Sequence, residues 1–155
     1  MQTSLRLVQH QLDTHNIHLV RSLSNARDEV NGDERQLEQV FINLLLNAVE
    51  AMKEKGTLTV ASESIPPASG AAASNNERQP GQICVTVKDT GGGIPPENLP
   101  RLFDPFFTTK PEGTGLGLAI TRRIIQEHSG AIDARSELNK GTLFSVTLPL
   151  LPAKL

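Results

Sequence analysis

Leu5, Val8 and Leu12 recur at helical spacing in "TSLRLVQHQLD", which predicts a short amphipathic helix over residues 3–13. "IHLVRSL" then reads as a strand. Helical periodicity returns in "GDERQLEQVFINLLLNAVEAMKEKG", with Asp33 as N-cap, Gln36 three residues later completing a capping box, and Gly56 closing the helix. "TLTVASES" and "QICVTVKD" are strands. The stretch between them, "IPPASGAAASNNERQPG", is small, polar and without period, so residues 64–81 read as a flexible surface insertion. "LGLAITRRIIQEHSG" spaces Leu116, Ile120, Ile124 and Ile125 for a helix that ends at Gly130, and "AIDARSE" and "TLFSVTLPL" form an antiparallel hairpin turned by "LNKG". The order is α-β-α-β-β-loop-α-β-β. It predicts an α/β (α+β) two-layer sandwich, a mixed and largely antiparallel sheet covered on one face by helices.

Composition narrows the setting. A chain of 155 residues is one domain's worth. A formal charge of -2 without a basic block argues against a nucleic-acid partner, and no apolar run approaches the roughly 18 residues of a membrane span, so this stretch is expected not to be membrane-embedded. The lone cysteine, Cys84, cannot form an internal disulfide, which makes a cytoplasmic location the expectation.

Two features carry chemistry. Asn43, Asn47 and Glu50, at i, i+4 and i+7, form a polar stripe on an otherwise apolar helix, and amide oxygens can help to hold a hydrated Mg²⁺ beside phosphates. The second feature is a pair of glycine-rich loops. "DTGGGIPP" puts the Asp89 carboxylate at a strand end before a backbone stripped of side chains. "GTGLGLAI" places Gly113, Gly115 and Gly117 where a loop becomes a helix, so backbone N–H groups can point at an anion. Neither loop has the spacing of a dinucleotide fingerprint or a P-loop. An aspartic protease would need a second Asp-Thr-Gly, and His10, His15 and His18 lack metalloprotease spacing.

"EQVFINLLLNAVEAM", "VKDTGGGIPPENLPRLFDPFFTTK", "GTGLGLAI" and "KGTLFSVTLP" resemble, in order, the N, G1, F, G2 and G3 boxes of the catalytic ATP-binding domain of bacterial sensor histidine kinases. These belong to the superfamily shared with gyrase, Hsp90 and mismatch-repair ATPases. The wording is similar to the branch related to nitrogen regulation. The resemblance implies the Bergerat ATP-binding fold, with ATP and Mg²⁺ as cofactors.

It further implies that Asp89 accepts the adenine amino group and that Gly91, Gly93 and Ile94 form the floor under the base. Thr142 would complete the adenine end through a water. Asn47 is implied as the Mg²⁺ ligand, with Asn43 orienting it and Glu50 beside it. The phosphates would meet the N–H groups of Gly115, Leu116, Gly117 and Leu118, with Gly113, Thr109 and Thr114 nearby. Lys110 would neutralise the γ-phosphate from a lid over about residues 98–113, and Phe106 and Phe107 would hold that lid to the body. On the catalytic side the resemblance thus selects Asn43, Asn47 and Lys110.

ATP-hydrolysing relatives carry glutamate at the position of Asn43, where it acts as general base, so hydrolysis is expected to be poor. The implied acceptor is a histidine on a dimerisation domain, since none of the four histidines here stands in a phosphoacceptor box. Residues 1–15 would then be the end of a connecting helix and 16–155 the catalytic domain, monomeric when isolated. A response regulator is the implied downstream partner. A non-catalytic nucleotide-sensing module of the same fold stays open beside the kinase.

Overall fold

The structure is a computed structural model that describes residues 1–24, 29–67 and 80–152. Its elements are α1 (Gln2–Thr14), β1 (Ile17–Ser22), α2 (Glu34–Met52), β2 (Gly56–Ile65), β3 (Gln82–Lys88), a 3-10 turn (Leu99–Arg101), α3 (Gly117–Glu127), β4 (Ala131–Glu137) and β5 (Gly141–Pro149). The strands form one sheet in the order β1-β2-β3-β5-β4. Only the β1–β2 pair is parallel, because α2 carries the chain between them; the other neighbours run antiparallel. This is the expected mixed sheet. α2 lies between α1 and α3 in a single helical layer.

The core follows from two periods meeting. Alternate residues Leu58, Val60, Val85, Val87, Phe144 and Val146 point from the sheet toward the helices, and Val40, Phe41, Leu44, Leu45, Ala48 and Val49 form the facing stripe of α2. Leu5, Val8 and Leu12 of α1 join the same core. Each such large side chain contributes roughly 1.5–3 kcal/mol on burial.

Both long-helix boundaries differ in detail from the sequence reading. Asp33 does cap α2, its carboxylate accepting from Arg35 N (2.9 Å) and Gln36 N (3.2 Å). The reciprocal bond does not come from Gln36: the Asp33 N–H donates to Nε2 of His128 (3.0 Å) at the far end of α3. Gly56 does not close α2, which ends at Met52 with Lys53 taking a positive φ of 61°. Gly56 instead opens β2, packed against the Met52 side chain.

α3 likewise ends at Glu127, and Ser129 rather than Gly130 takes the positive φ. Its buried face is Thr121, Ile124 and Ile125, which leaves Ile120 39 % exposed, although its apolar side chain predicted burial. The antiparallel pairing of Ile65 with Gln82 sets the ends of the predicted insertion, most of which, 68–79, lies outside the described residues.

Candidate functional site

A cavity of about 870 Å³ opens between the second half of α2, the ends of β3 and β5, and the loop leading to α3. That size suits an organic ligand with several charged groups. Asn47, Glu50, Asp89, Gly93, Ile94 and Thr142 line it from the body. Thr109, Lys110, Gly113, Thr114, Gly115, Gly117 and Leu118 line it from the loop and the start of α3.

Asp89 closes one end. It is 3 % exposed, and its Oδ1 accepts from Gly91 N (2.8 Å) and Thr142 N (3.3 Å), while its own N–H donates to Thr142 O (2.9 Å). The end of β3 is thereby fixed to the start of β5. Burial pushes the Asp89 pKa above its ordinary value, and the N–H groups of Gly91 and Thr142 offset part of that rise. Both amides bind Oδ1, so Oδ2 is left as an acceptor for a ligand donor.

The loop after Asp89 needs its glycines. Gly93 has φ 75°, and a Cβ there would collide with the carbonyl of Glu137, so the loop can lie under the cavity only without a side chain. Gly91 acts from outside the wall. A Cβ there would strike the Ala51 carbonyl at 2.6 Å, and its N–H donates to Asp89 Oδ1.

Elsewhere on the same wall, the ammonium of Lys110 donates to Asn47 Oδ1 (3.3 Å) and pairs with the Glu50 carboxylate. A cation thus already finds an oxygen cluster here. An amide and a carboxylate oxygen are donors that a hard ion such as Mg²⁺ accepts, so these residues fit that group. α3 begins beside this cluster with no side-chain cap on its first turn, and Gly115 takes φ 72°, where a Cβ would strike the Phe106 backbone. The opening N–H groups of α3 can therefore meet an anion. The Leu116 N–H is turned to Thr114 Oγ1 (3.4 Å), so Leu116 lies off the wall.

Asn43 is also not on the wall; its Nδ2 donates to Thr121 Oγ1 (3.4 Å), joining α2 to α3 below the cavity. Phe106 and Phe107, expected to hold the segment 98–113 to the body, part ways. Phe106 is 76 % exposed because its own φ of 66° turns it outward. Phe103 instead meets Phe144 edge-on at 6.4 Å, and Arg101 stacks on Phe107 at 4.6 Å. With Leu102 buried, the first part of the segment 98–113 is anchored, and residues 104–106 and 108–113 are exposed.

Sequence reasoning missed Ser136. Its Oγ accepts from Ile94 N (2.7 Å) and contacts Gly141 O (3.0 Å) and Thr142 Oγ1 (2.9 Å). A serine on an alternating edge strand carries no sequence signal of such a position.

Residues 32–152 match the family described as histidine kinase-, DNA gyrase B-, and HSP90-like ATPase. Sporulation kinase C of Bacillus subtilis (strain 168) is 44 % identical over 121 residues, covering 78 % of this chain and 25 % of that protein. Sensor histidine kinase ZraS of Salmonella typhi is 37 % identical over 148 residues, 96 % of this chain and 29 % of ZraS. The chain thus spans roughly a quarter of the length of these curated relatives. Among solved structures, the nucleotide-free catalytic domain of histidine kinase ThkA superposes with a TM-score of 0.79 at 33 % identity, over 96 % of this chain and 88 % of that one. ThkA in complex with the response regulator protein TrrA gives 0.74 at 30 % identity, over 97 % of this chain and 39 % of that one.

Proposed function

Because the chain belongs to the histidine kinase-, DNA gyrase B-, and HSP90-like ATPase family, we propose that it is the catalytic domain of a sensor histidine kinase. It binds Mg-ATP and donates the γ-phosphoryl group to a histidine on a separate dimerisation domain. The observation that carries this reading is one cavity lined by a buried acceptor, Asp89, by the Asn47–Glu50–Lys110 cluster and by Gly117 and Leu118 at the start of α3. An adenine amino group suits the first and a triphosphate the others.

In this reading Asp89 Oδ2 accepts the adenine amino proton, with Thr142 beside it and the Gly91–Ile94 loop beneath the base. Asn47 holds Mg²⁺, with Glu50 on the same helix face. Bound Mg²⁺ supplies charge neutralisation at the phosphate oxygens. The backbone N–H groups of Gly117 and Leu118 hold phosphate oxygens, and Thr109, Gly113, Thr114 and Gly115 shape the path of the loop around them. Lys110 leaves Asn47 and Glu50 to meet the γ-phosphate. Asn43 steadies the Asn47 turn of α2 against Thr121; as an amide it cannot take a proton from water. Catalysis then rests on positioning and charge neutralisation. α1 connects to the domain that carries the acceptor histidine, and a response regulator receives the phosphoryl group next, in the cytoplasm.

The isolated domain, given ATP labelled at the γ-phosphate, should bind it in a Mg²⁺-dependent way, retain no covalent label and release phosphate slowly. Rapid release would assign the domain to the hydrolysing branch of the family. Binding of GTP as tightly as ATP would remove Asp89 from the base site.

A further inference from the structure

Ser136 carries an inference that rests on the adenine reading of Asp89 and goes beyond it. Its hydroxyl has one proton and two lone pairs. Three partners surround it: the Ile94 N–H at 2.7 Å, which can only donate; the Gly141 carbonyl at 3.0 Å, which can only accept; and the Thr142 hydroxyl at 2.9 Å, which can do either. One arrangement satisfies all three. Ser136 gives its proton to Gly141 O, takes one bond from Ile94 N–H, and takes the other from Thr142 Oγ1–H. The Thr142 proton then goes to Ser136, and the hydroxyl oxygen of Thr142, a buried residue of the cavity wall, remains as an acceptor only.

From this we infer that Ser136 is a specificity-determining residue for the base, although it does not itself line the cavity. With Thr142 held as an acceptor and Asp89 an acceptor by charge, that end of the cavity presents oxygen lone pairs and no side-chain donor. It therefore favours an exocyclic amino group, reached directly or through one water, over the carbonyl that guanine and hypoxanthine place there. The effect is one of proton direction: without Ser136, Thr142 is free to turn its O–H toward the ligand and serve a carbonyl. Ser136 also ties the glycine loop, through Ile94, to the hairpin end at Gly141, so it sets the spacing between the floor and the Asp89–Thr142 edge.

The test is equilibrium binding of ATP, ITP and GTP to the parent domain and to Ser136→Ala, Ser136→Thr, Thr142→Val and the double variant Ser136→Ala/Thr142→Val, with thermal melting to confirm folding. ITP separates the carbonyl from the extra amino group of guanine. In the parent, ATP should bind more tightly than ITP. Ser136→Ala should narrow that preference about three- to tenfold, the range of one net hydrogen bond. Ser136→Thr, which keeps the hydroxyl, should restore it. In the Thr142→Val background, Ser136→Ala should change the ATP-to-ITP ratio no further, because the group it orients is gone. An unchanged ratio in folded Ser136→Ala, or an equal narrowing in the Thr142→Val background, would overturn the inference and leave Ser136 as a loop anchor. A parent domain that binds ATP without preferring it to ITP would instead overturn the adenine reading, and the inference with it.

Discussion

Asp89 combines a cost and a function in one carboxylate. Burial is the larger effect on it and the Gly91 and Thr142 N–H groups the smaller, so its folded pKa stands above the ordinary 3.8. Such a group contributes stability that is complete below the unfolded pKa and is lost as pH rises through the folded one. Asp89→Asn stays neutral and keeps an oxygen for both amides. It should therefore melt higher than the parent at neutral pH, with the difference closing as pH falls through the raised folded pKa and gone below the ordinary 3.8. The same variant presents a donor to the adenine amino group, and calorimetry should show ATP binding weakened by about 1–3 kcal/mol. Asn47→Ala tests the other end: affinity for Mg-ATP should fall several-fold or more, while affinity for metal-free ATP changes little. Equal losses would make Asn47 a helix residue only. Asp89, Asn47 and the glycines were legible because each departs from what a strand or helix needs. Ser136 and His128 were not, since their partners are remote in sequence or defined only by the sheet edge.

Among the elements, the segment 98–113 and the α2–α3 pair behave differently. The Glu50–Lys110 pair is exposed, and such pairs contribute about 0–1 kcal/mol, so on the proposed reading it would hold the 98–113 segment weakly and yield to a triphosphate. Chymotrypsin should cut the nucleotide-free domain at Phe106 or Phe107, and Mg²⁺ with a non-hydrolysable ATP analogue should slow the cut. Glu50→Gln should speed cutting of the free protein by up to about fivefold. Identical rates in all three samples would rule out any link between Lys110 and lid position. The resemblance implied that Phe106 holds the segment to the body, yet with a positive φ it stands 76 % exposed.

The start of α2 and the end of α3 are joined differently, by His128, whose Nδ1 meets Ile124 O at 2.7 Å while Nε2 accepts from Asp33 N. His128→Ala should lower unfolding stability by about 1–2 kcal/mol in a denaturant titration. ATP affinity should stay within about twofold, since the clasp lies roughly 20 Å along α2 from Asn47. A large loss of affinity would mean that helix spacing is transmitted to the cavity.

For the molecule as a whole, element order and the two-layer architecture were legible because helical and strand periods alternate cleanly from Leu5 to Leu148. What periodicity could not locate were the helix ends, where Lys53 and Ser129 adopt positive φ and Gly130, after Ser129, packs against the Thr147 carbonyl. The cavity joins α2, β3, β5 and α3, so its parts are assembled by the fold from boxes far apart in sequence.

That assembly contains the proposed ATP site, and none of the four histidines stands in a phosphoacceptor box. On the proposed reading the domain needs a histidine-bearing partner to complete the transfer. The most direct measurement mixes it with Mg²⁺, γ-labelled ATP and the helical dimerisation domain of its own kinase, supplied as a separate chain. The account predicts slow label transfer to a histidine of the dimerisation domain, slow because no tether raises the local concentration. The label should be acid-labile and base-stable, and Asn47→Ala and Asp89→Asn should each suppress it. Label retained on the domain itself, or an unlabelled partner despite confirmed ATP binding, would contradict the kinase reading and favour a module that only senses nucleotide.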